Sequence, residues 1–172
     1  VISRLNKFYV SKLNEKLKDS LEGCQIINLS ALTRGQLDTC VAADSYLDNS
    51  DSILISSCDY SLQYNVKSWF DFKKKENADV IIWTNKLKST PIKDYKAFAY
   101  VKIKSKNQVT KIIEKKCVSD TPWLDPMVVG TFWFKSWDIF LEMHKHVKLE
   151  GSFENTKENF IGTNINYLIK KG

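Results

Sequence analysis

The stretch DSILISSCDYSLQYNVKSWFDFKKKENADVIIW, residues 51–83, decides how the rest of the chain is read. Its first part, Asp51 to Ile55, is a short continuous apolar run with β-branched residues. An unbroken run, as opposed to an alternating one, is the mark of a strand covered on both faces. Val66 to Glu76 then reads as a helix, and Val80 to Trp83 repeats the buried-strand pattern. Strand, helix, strand in this order is the building unit of an α/β sandwich.

Upstream, Phe8, Val10, Leu13, Leu17 and Leu21 recur at helical spacing, and Gly23 follows as a stop. Cys24 to Leu29 predicts a short strand. The turn-rich Thr33-Arg34-Gly35 precedes a helix over Gln36 to Leu47. Downstream, Ala97 to Ile103 and Val109 to Glu114 read as two strands joined across Ser105-Lys106-Asn107. Val128 to Phe134 is a further apolar strand, Ser136 caps a helix through His146, and a last helix covers Asn164 to Lys171. The order predicts a mostly parallel sheet with one antiparallel member. No repeat, low-complexity segment or linker interrupts it, so residues 1–172 are expected to form one unit.

Composition excludes several classes. With 43% hydrophobic and 27% charged residues the chain is neither collagen-like nor disordered, and four cysteines in 172 residues do not make a disulfide scaffold. No apolar run reaches the length of a membrane span. Val1-Ile2-Ser3-Arg4 leads into a charged amphipathic segment, so neither a signal peptide nor a membrane partner is expected, and a cytoplasmic location is. The net charge of +6 suits a polyanionic partner such as a nucleotide phosphate. The densest run, Lys73-Lys74-Lys75, reads as a solvated helix face, and no nucleic-acid polymer is expected to bind it. Cys24, Cys40, Cys58 and Cys117 are scattered without a CxxC pair, which argues against a zinc cluster. Cys24 and Cys58 sit in apolar strand contexts and read as buried, reduced thiols. His144 and His146 read as a solvent-facing pair.

In α/β sheets ligands gather beyond the carboxyl ends of strands, and three such ends carry polar chemistry. In the first, Ile53-Leu54-Ile55-Ser56-Ser57-Cys58-Asp59, a single Asp stands at an open strand end. That suffices for Mg2+, whose other ligands are waters and phosphate oxygens. Asp59 serves equally well as a turn cap, and position alone favours the cap. In the second, Thr33-Arg34-Gly35-Gln36 precedes a helix, and Gly35 lets backbone amides approach a ligand or simply completes a loop. The third, Ile112-Ile113-Glu114-Lys115-Lys116, ends an edge strand with an acid followed by bases, which is also what an ordinary charged strand end looks like.

Taken in order, the Thr33-Arg34-Gly35-Gln36-x-x-Thr39 loop, the Asp59 strand end, Val109 to Lys115 and Val129-Gly130-Thr131-Phe132-Trp133-Phe134 resemble the sugar nucleotidyltransferases, from about Cys24 to Gly172. Those enzymes join a nucleoside triphosphate to a sugar 1-phosphate on a GT-A-like, Rossmann-like three-layer sandwich. The resemblance implies that Thr33, Gly35 and Gln36 lie against the base and that Asp59 holds the catalytic Mg2+. It implies that Glu114 contacts the sugar, that Lys115 contacts the sugar phosphate, and that Gly130 brings its amide to a sugar hydroxyl. Asp59 and Lys115 would be the catalytic pair. The closing Asn166-Tyr167-Leu168-Ile169-Lys170-Lys171-Gly172 is similar to a structural helix of the family. A role in making surface-polysaccharide precursors goes with the resemblance.

The departures matter too. The family's GxGxR loop and its second metal-binding Asp have no counterpart among these residues, so the chain is expected to correspond to a core lacking both, and to turn over weakly by itself. A sheet lacking the family's first strand would leave an edge open, which makes a homodimer an expectation. Two other readings are weighed. A degenerate module that binds without catalysis is the alternative, and retention of Asp59, Glu114 and Lys115 speaks against it. A GT-A glycosyltransferase would carry Asp-x-Asp, whereas Asp59 is followed by Tyr60 and Ser61.

Overall fold

The computed structural model describes residues 2–3, 7–20, 22–59, 61–86, 94–152 and 157–172. The expected end of the first helix at Leu21, and Val1, Arg4 and Tyr60, lie outside the described residues. So does the side-chain spacing of Phe8, Val10 and Leu13.

Strand β7 (Met127–Phe134) is the spine of the main sheet. Its sequence MVVGTFWF is apolar but for Thr131 because both of its faces are largely covered. Phe132 and Phe134 point into the core, and Trp133 points to the opposite face. Strand β4 (Val80–Asn85) runs along one edge of β7. Strands β3 (Ile53–Ser56) and β5 (Ala99–Ile103) share the other, since Met127 is paired with both Asn85 and Tyr100. Strand β6 (Val109–Glu114) completes the sheet outside β5.

Every pairing in this five-stranded sheet is antiparallel, which corrects the expected mostly parallel, Rossmann-like sheet. Strands β3 and β4 do run the same way, as the strand–helix–strand reading requires. But β7 lies between them, antiparallel to both, so they never meet. Among the described residues the parallel pairing is that of two short strands, β1 (Ile2–Ser3) and β2 (Ile27–Asn28). An unbroken apolar run carries no signal of strand direction, and in β3 it does not report two-sided burial either: Ile53 is buried but Leu54 is 50% exposed, which corrects the expected buried strand.

Helices α4 (Trp137–Glu150) and α5 (Ile161–Lys171) cover one face. Their Trp137, Phe140, Met143, Val147, Ile161 and Ile165 close over Phe132 and Phe134. Ser136 caps α4 as expected, its Oγ accepting from the Ile139 amide at 3.3 Å. The Trp137 ring stacks on Phe140 at 4.8 Å, and its Nε1 donates to Asp44 at 2.7 Å. The expected helix from Gln36 to Leu47 is two pieces, α2 (Gln36–Cys40) and a 3-10 turn over Val41–Tyr46. Of the expected strand from Cys24 to Leu29, Ile27–Asn28 pairs.

Helix α3 (Val66–Glu76) lies on the other face, its Trp69 ring 4.7 Å from Trp83 and 5.7 Å from Trp133. Lys73 sits with its ammonium 5.0 Å from the Trp133 ring centre, so the first residue of the lysine run is an aromatic contact and not a solvated one. Lys74 and Lys75 are exposed as read. Helix α1 spans Lys7–Ser20.

The edge of β6 is sealed by one residue of α5. The Asn166 amide accepts from the Ile112 N–H and donates to the Ile112 carbonyl, both at 2.8 Å. That bidentate grip supplies the pairing a neighbouring strand would otherwise provide, and it agrees with a structural role for the closing helix.

The cysteine reading is corrected: Cys58 is exposed and Cys24 only partly covered. Cys40 is the most shielded thiol, pushed up to about 12 by burial. Among the described residues no helix is long and apolar enough to cross a membrane.

Candidate functional site

Strand β3 ends, β5 begins and β6 ends at one place along β7. Strand β3 covers Thr131 to Phe134, β5 reaches β7 at Met127, and Glu114 at the end of β6 is paired with Ala99. Strand β7 bulges here: Ile82 faces Phe132 but Thr84 faces Val128, so β7 carries two more residues than β4 over the interval. Gly130 lies in the bulge at φ 76°, a conformation that favours glycine.

The bulge grips the turn that carries Asp59. The Ser57 amide and hydroxyl both donate to the Gly130 carbonyl, at 3.1 and 3.2 Å. Ser56 and Thr131 hydroxyls meet at 3.3 Å. A β-carbon on Gly130 would collide with Ser57 Oγ, so Gly130 serves close packing against the Asp59 turn. Asp59 itself is exposed just beyond it.

The second corner is Glu114–Lys115. The Glu114 carboxylate lies against Gly162 in the first turn of α5, where a β-carbon would come within 2.7 Å of Oε1. Burial raises its pKa to about 7, with Lys115 opposing the shift and Glu158 adding to it. Lys115 has φ 54°, unusual for a side-chain-bearing residue, and its amide donates to the Phe98 carbonyl at 2.9 Å. Its ammonium lies 3.9 Å from Glu158 and 4.8 Å from the centre of the Phe160 ring.

The third piece is the loop before α2. Thr33 Oγ1 donates to the Gly35 carbonyl at 3.1 Å and meets Thr39 Oγ1 at 2.6 Å. Gly35, at φ 146°, is pressed onto the backbone of Asn159, whose nitrogen would be 2.7 Å from a β-carbon there. The Asn159 amide donates to Arg34 at 2.8 Å, and the Leu37 amide donates to Asn159 at 3.0 Å. Gln36, the first residue of α2, is exposed.

The structure thus joins Gly130 to the Asp59 turn through Ser57, and brings Glu114 and Lys115 to the same sheet end by register. It ties Arg34, Gly35 and Leu37 to Asn159, whose neighbours Glu158 and Phe160 lie beside Lys115, while Thr33 bonds to Gly35 and Thr39 and Gln36 is exposed. Among the described residues no hydrogen bond or ion pair joins Asp59 directly to Glu114 or Lys115.

Sequence reading missed this segment, and it placed His144 wrongly. His144 is buried, with Nε2 3.1 Å from Asp38 Oδ1, and the Asn159 amide donates to Asp38 Oδ2 at 2.7 Å. A signal existed: His144 stands four residues after Phe140 and seven after Trp137, on the apolar face of α4. His146 is also largely covered, stacked on Tyr167 at 4.0 Å. Nothing comparable marks Asn159, whose partners are remote in sequence.

For a divalent cation, the described residues hold no group of three or more His, Cys, Asp or Glu. One exposed carboxylate with oxygen donors is nonetheless the donor set that suits Mg2+ when phosphate and water complete the shell. A groove of about 770 Å3 lies at the other end of the β5–β6 hairpin and is lined by none of the predicted site residues.

No family model matches the chain, and neither does any curated protein. A solved structure does. The crystal structure of the nucleoside-diphosphate-sugar pyrophosphorylase from Vibrio cholerae RC9 matches 99% of this chain and 68% of its own, at 21% identity and a TM-score of 0.72. The likeness is one of fold: over nearly its whole length the chain is built like a nucleoside-diphosphate-sugar pyrophosphorylase.

Proposed function

We propose that the chain is a sugar-phosphate nucleotidyltransferase domain that binds a nucleoside triphosphate and a sugar 1-phosphate. The observation that carries this is the convergence, at one end of the sheet, of the Asp59 turn, the Gly130 bulge and the Glu114–Lys115 corner. The pyrophosphorylase fold supports it. Thr33, Gly35 and Gln36 would receive the base, although Thr33 and Gly35 already spend hydrogen bonds and contact on their own loop. Asp59 would be the protein ligand of Mg2+, which when bound supplies charge neutralisation for the triphosphate.

In this reading a sugar-phosphate oxygen attacks the α-phosphorus, the bond to the bridging oxygen breaks, and pyrophosphate leaves. Positioning and charge do the catalysis. Lys115 neutralises the sugar phosphate. Glu114, largely withdrawn from water, would orient a sugar hydroxyl, and the Gly130 amide would meet a sugar hydroxyl as well.

Titration calorimetry with each nucleoside triphosphate plus Mg2+, repeated on Asp59→Ala, tests the reading. One nucleotide is expected to bind, with affinity about tenfold lower in the variant, equal to about 1.4 kcal/mol. Equal affinity in both proteins, or no binding to any nucleotide, overturns it.

A further inference from the structure

Asp38 is bonded by two elements that have no other reason to share a residue. It belongs to α2, in the helix that follows the Thr33–Gln36 loop. One oxygen meets His144 Nε2 of α4 at 3.1 Å, and the other accepts from the Asn159 side chain at 2.7 Å. The His144 side chain is 7% exposed and that of Asp38 23%. Asn159 is 2% exposed, and its Oδ1 is buried without a hydrogen-bond partner. A network of this kind is costly to bury and is a poor means of adding stability, since an apolar trio of the same volume would serve as well. What it supplies is a unique alignment.

The alignment it supplies is that of the loop. Asn159 is held by its side chain and uses its backbone on both sides of Gly35, donating to Arg34 and accepting from Leu37. Gly35 lies so close to that backbone that no side chain fits between. The residues on either side of Asn159 reach the other corner, Glu158 at 3.9 Å and Phe160 at 4.8 Å from the Lys115 ammonium.

We propose that Asp38 and His144 are positioning residues: through Asn159 they hold the Arg34–Leu37 loop in register with the segment that flanks Lys115, and so set the geometry of the nucleotide loop. The inference rests on the functional reading above for the word nucleotide, and on geometry alone for the loop. A break in the relay frees Asn159 to turn, the two backbone bonds to Arg34 and Leu37 weaken together, and the loop loses its fixed spacing from Lys115. The relay touches no ligand itself.

The test follows amide exchange by NMR at Leu37 and Asn159, with Val101, whose buried amide donates to the Pro126 carbonyl at 3.0 Å, as internal reference, in the wild type, Asp38→Leu, His144→Phe and Asp38→Asn. Exchange at Leu37 and Asn159 is expected to quicken at least about tenfold in Asp38→Leu and His144→Phe while Val101 stays protected. Asp38→Asn, which can still bond both partners, is expected to restore the wild-type rates. Calorimetry with the Mg2+-nucleotide that the wild type binds should show weaker binding in the same two variants and recovery in Asp38→Asn.

Leu37 and Asn159 protection that moves only in step with Val101 overturns the proposal, as does nucleotide affinity unchanged in a variant whose loop has loosened. If the wild type binds no nucleotide, the functional reading falls, and Leu37 exchange still decides whether the relay holds the loop. If Asp38→Leu does not fold, His144→Phe against Asp38→Asn gives the same comparison.

Discussion

Gly130 and Ser57 occupy what is nearly one volume: the Ser57 amide donates to the Gly130 carbonyl at 3.1 Å, and the Ser57 hydroxyl fills the space where a β-carbon on Gly130 would go. Because Gly130 also stands at φ 76°, Gly130→Ala combines a steric clash with backbone strain. The substitution is expected to destabilise the protein by about 2–4 kcal/mol in urea unfolding. Ser57→Gly added to it should recover the steric part and leave the strain. A neutral Gly130→Ala would show that the bulge can re-form without its lock on the Asp59 turn.

Asn166 replaces a missing strand neighbour for Ile112 with two bonds of 2.8 Å. Asn166→Leu keeps the side chain's bulk and strands a buried N–H and a buried carbonyl, so a loss of about 3 kcal/mol is expected from chemical denaturation. Asn166→Asp, which can accept but cannot donate while ionised, should lose less at pH 5 than at pH 8.

Glu114 has its pKa raised from 4.5 to about 7, chiefly by burial. Between these values the unfolded chain has released this proton and the folded chain has kept it. Folding stability therefore falls as pH rises from 4.5 to 7, and the full contribution is present only below 4.5. The loss is on the order of 3 kcal/mol. Glu114→Gln should flatten that segment of a plot of unfolding free energy against pH. A wild-type curve without the slope would mean that Glu114 ionises freely in the fold.

Lys115 holds φ 54° without being glycine. Lys115→Gly is expected to relieve about 1 kcal/mol of backbone strain. Its ion pair with Glu158 is exposed and contributes little to stability. Sugar 1-phosphate binding, followed by calorimetry, should weaken in the same variant. Opposite signs for stability and affinity would identify a residue kept for its charge; a fall in both would point to a packing role.

Much of the element order was legible because its signals are local. The β5–β6 hairpin, the Ser136 cap and the apolar run of β7 each depend on neighbours in sequence. Sheet direction was not legible, because the insertion of β7 between β3 and β4 is a fact about remote pairing. Glu114 and Lys115 could be picked out as strand-end chemistry and Gly130 only through the family resemblance; the structure gives Gly130 and Lys115 positive φ angles of 76° and 54°. Asn159 could not, because its meaning lies in contacts with Arg34, Leu37 and Asp38 made across the fold. His144 was misread because the helical stretch around it, with Lys145, His146 and Lys148, is polar in sequence, although its place on the apolar face of α4 argued otherwise.

The central place of β7 also has a kinetic consequence. About 70 residues separate β3 from it, with Ile53 paired to Phe134, and about 40 separate β4 from the same partner. Neither can enter the sheet by joining its sequence neighbour. During synthesis both would wait with bare edges until residue 134 has emerged, so their assembly comes late and is governed by loop closure over a long span. A chaperone that shields strand edges would act on this protein in that interval, before the last strand closes the sheet.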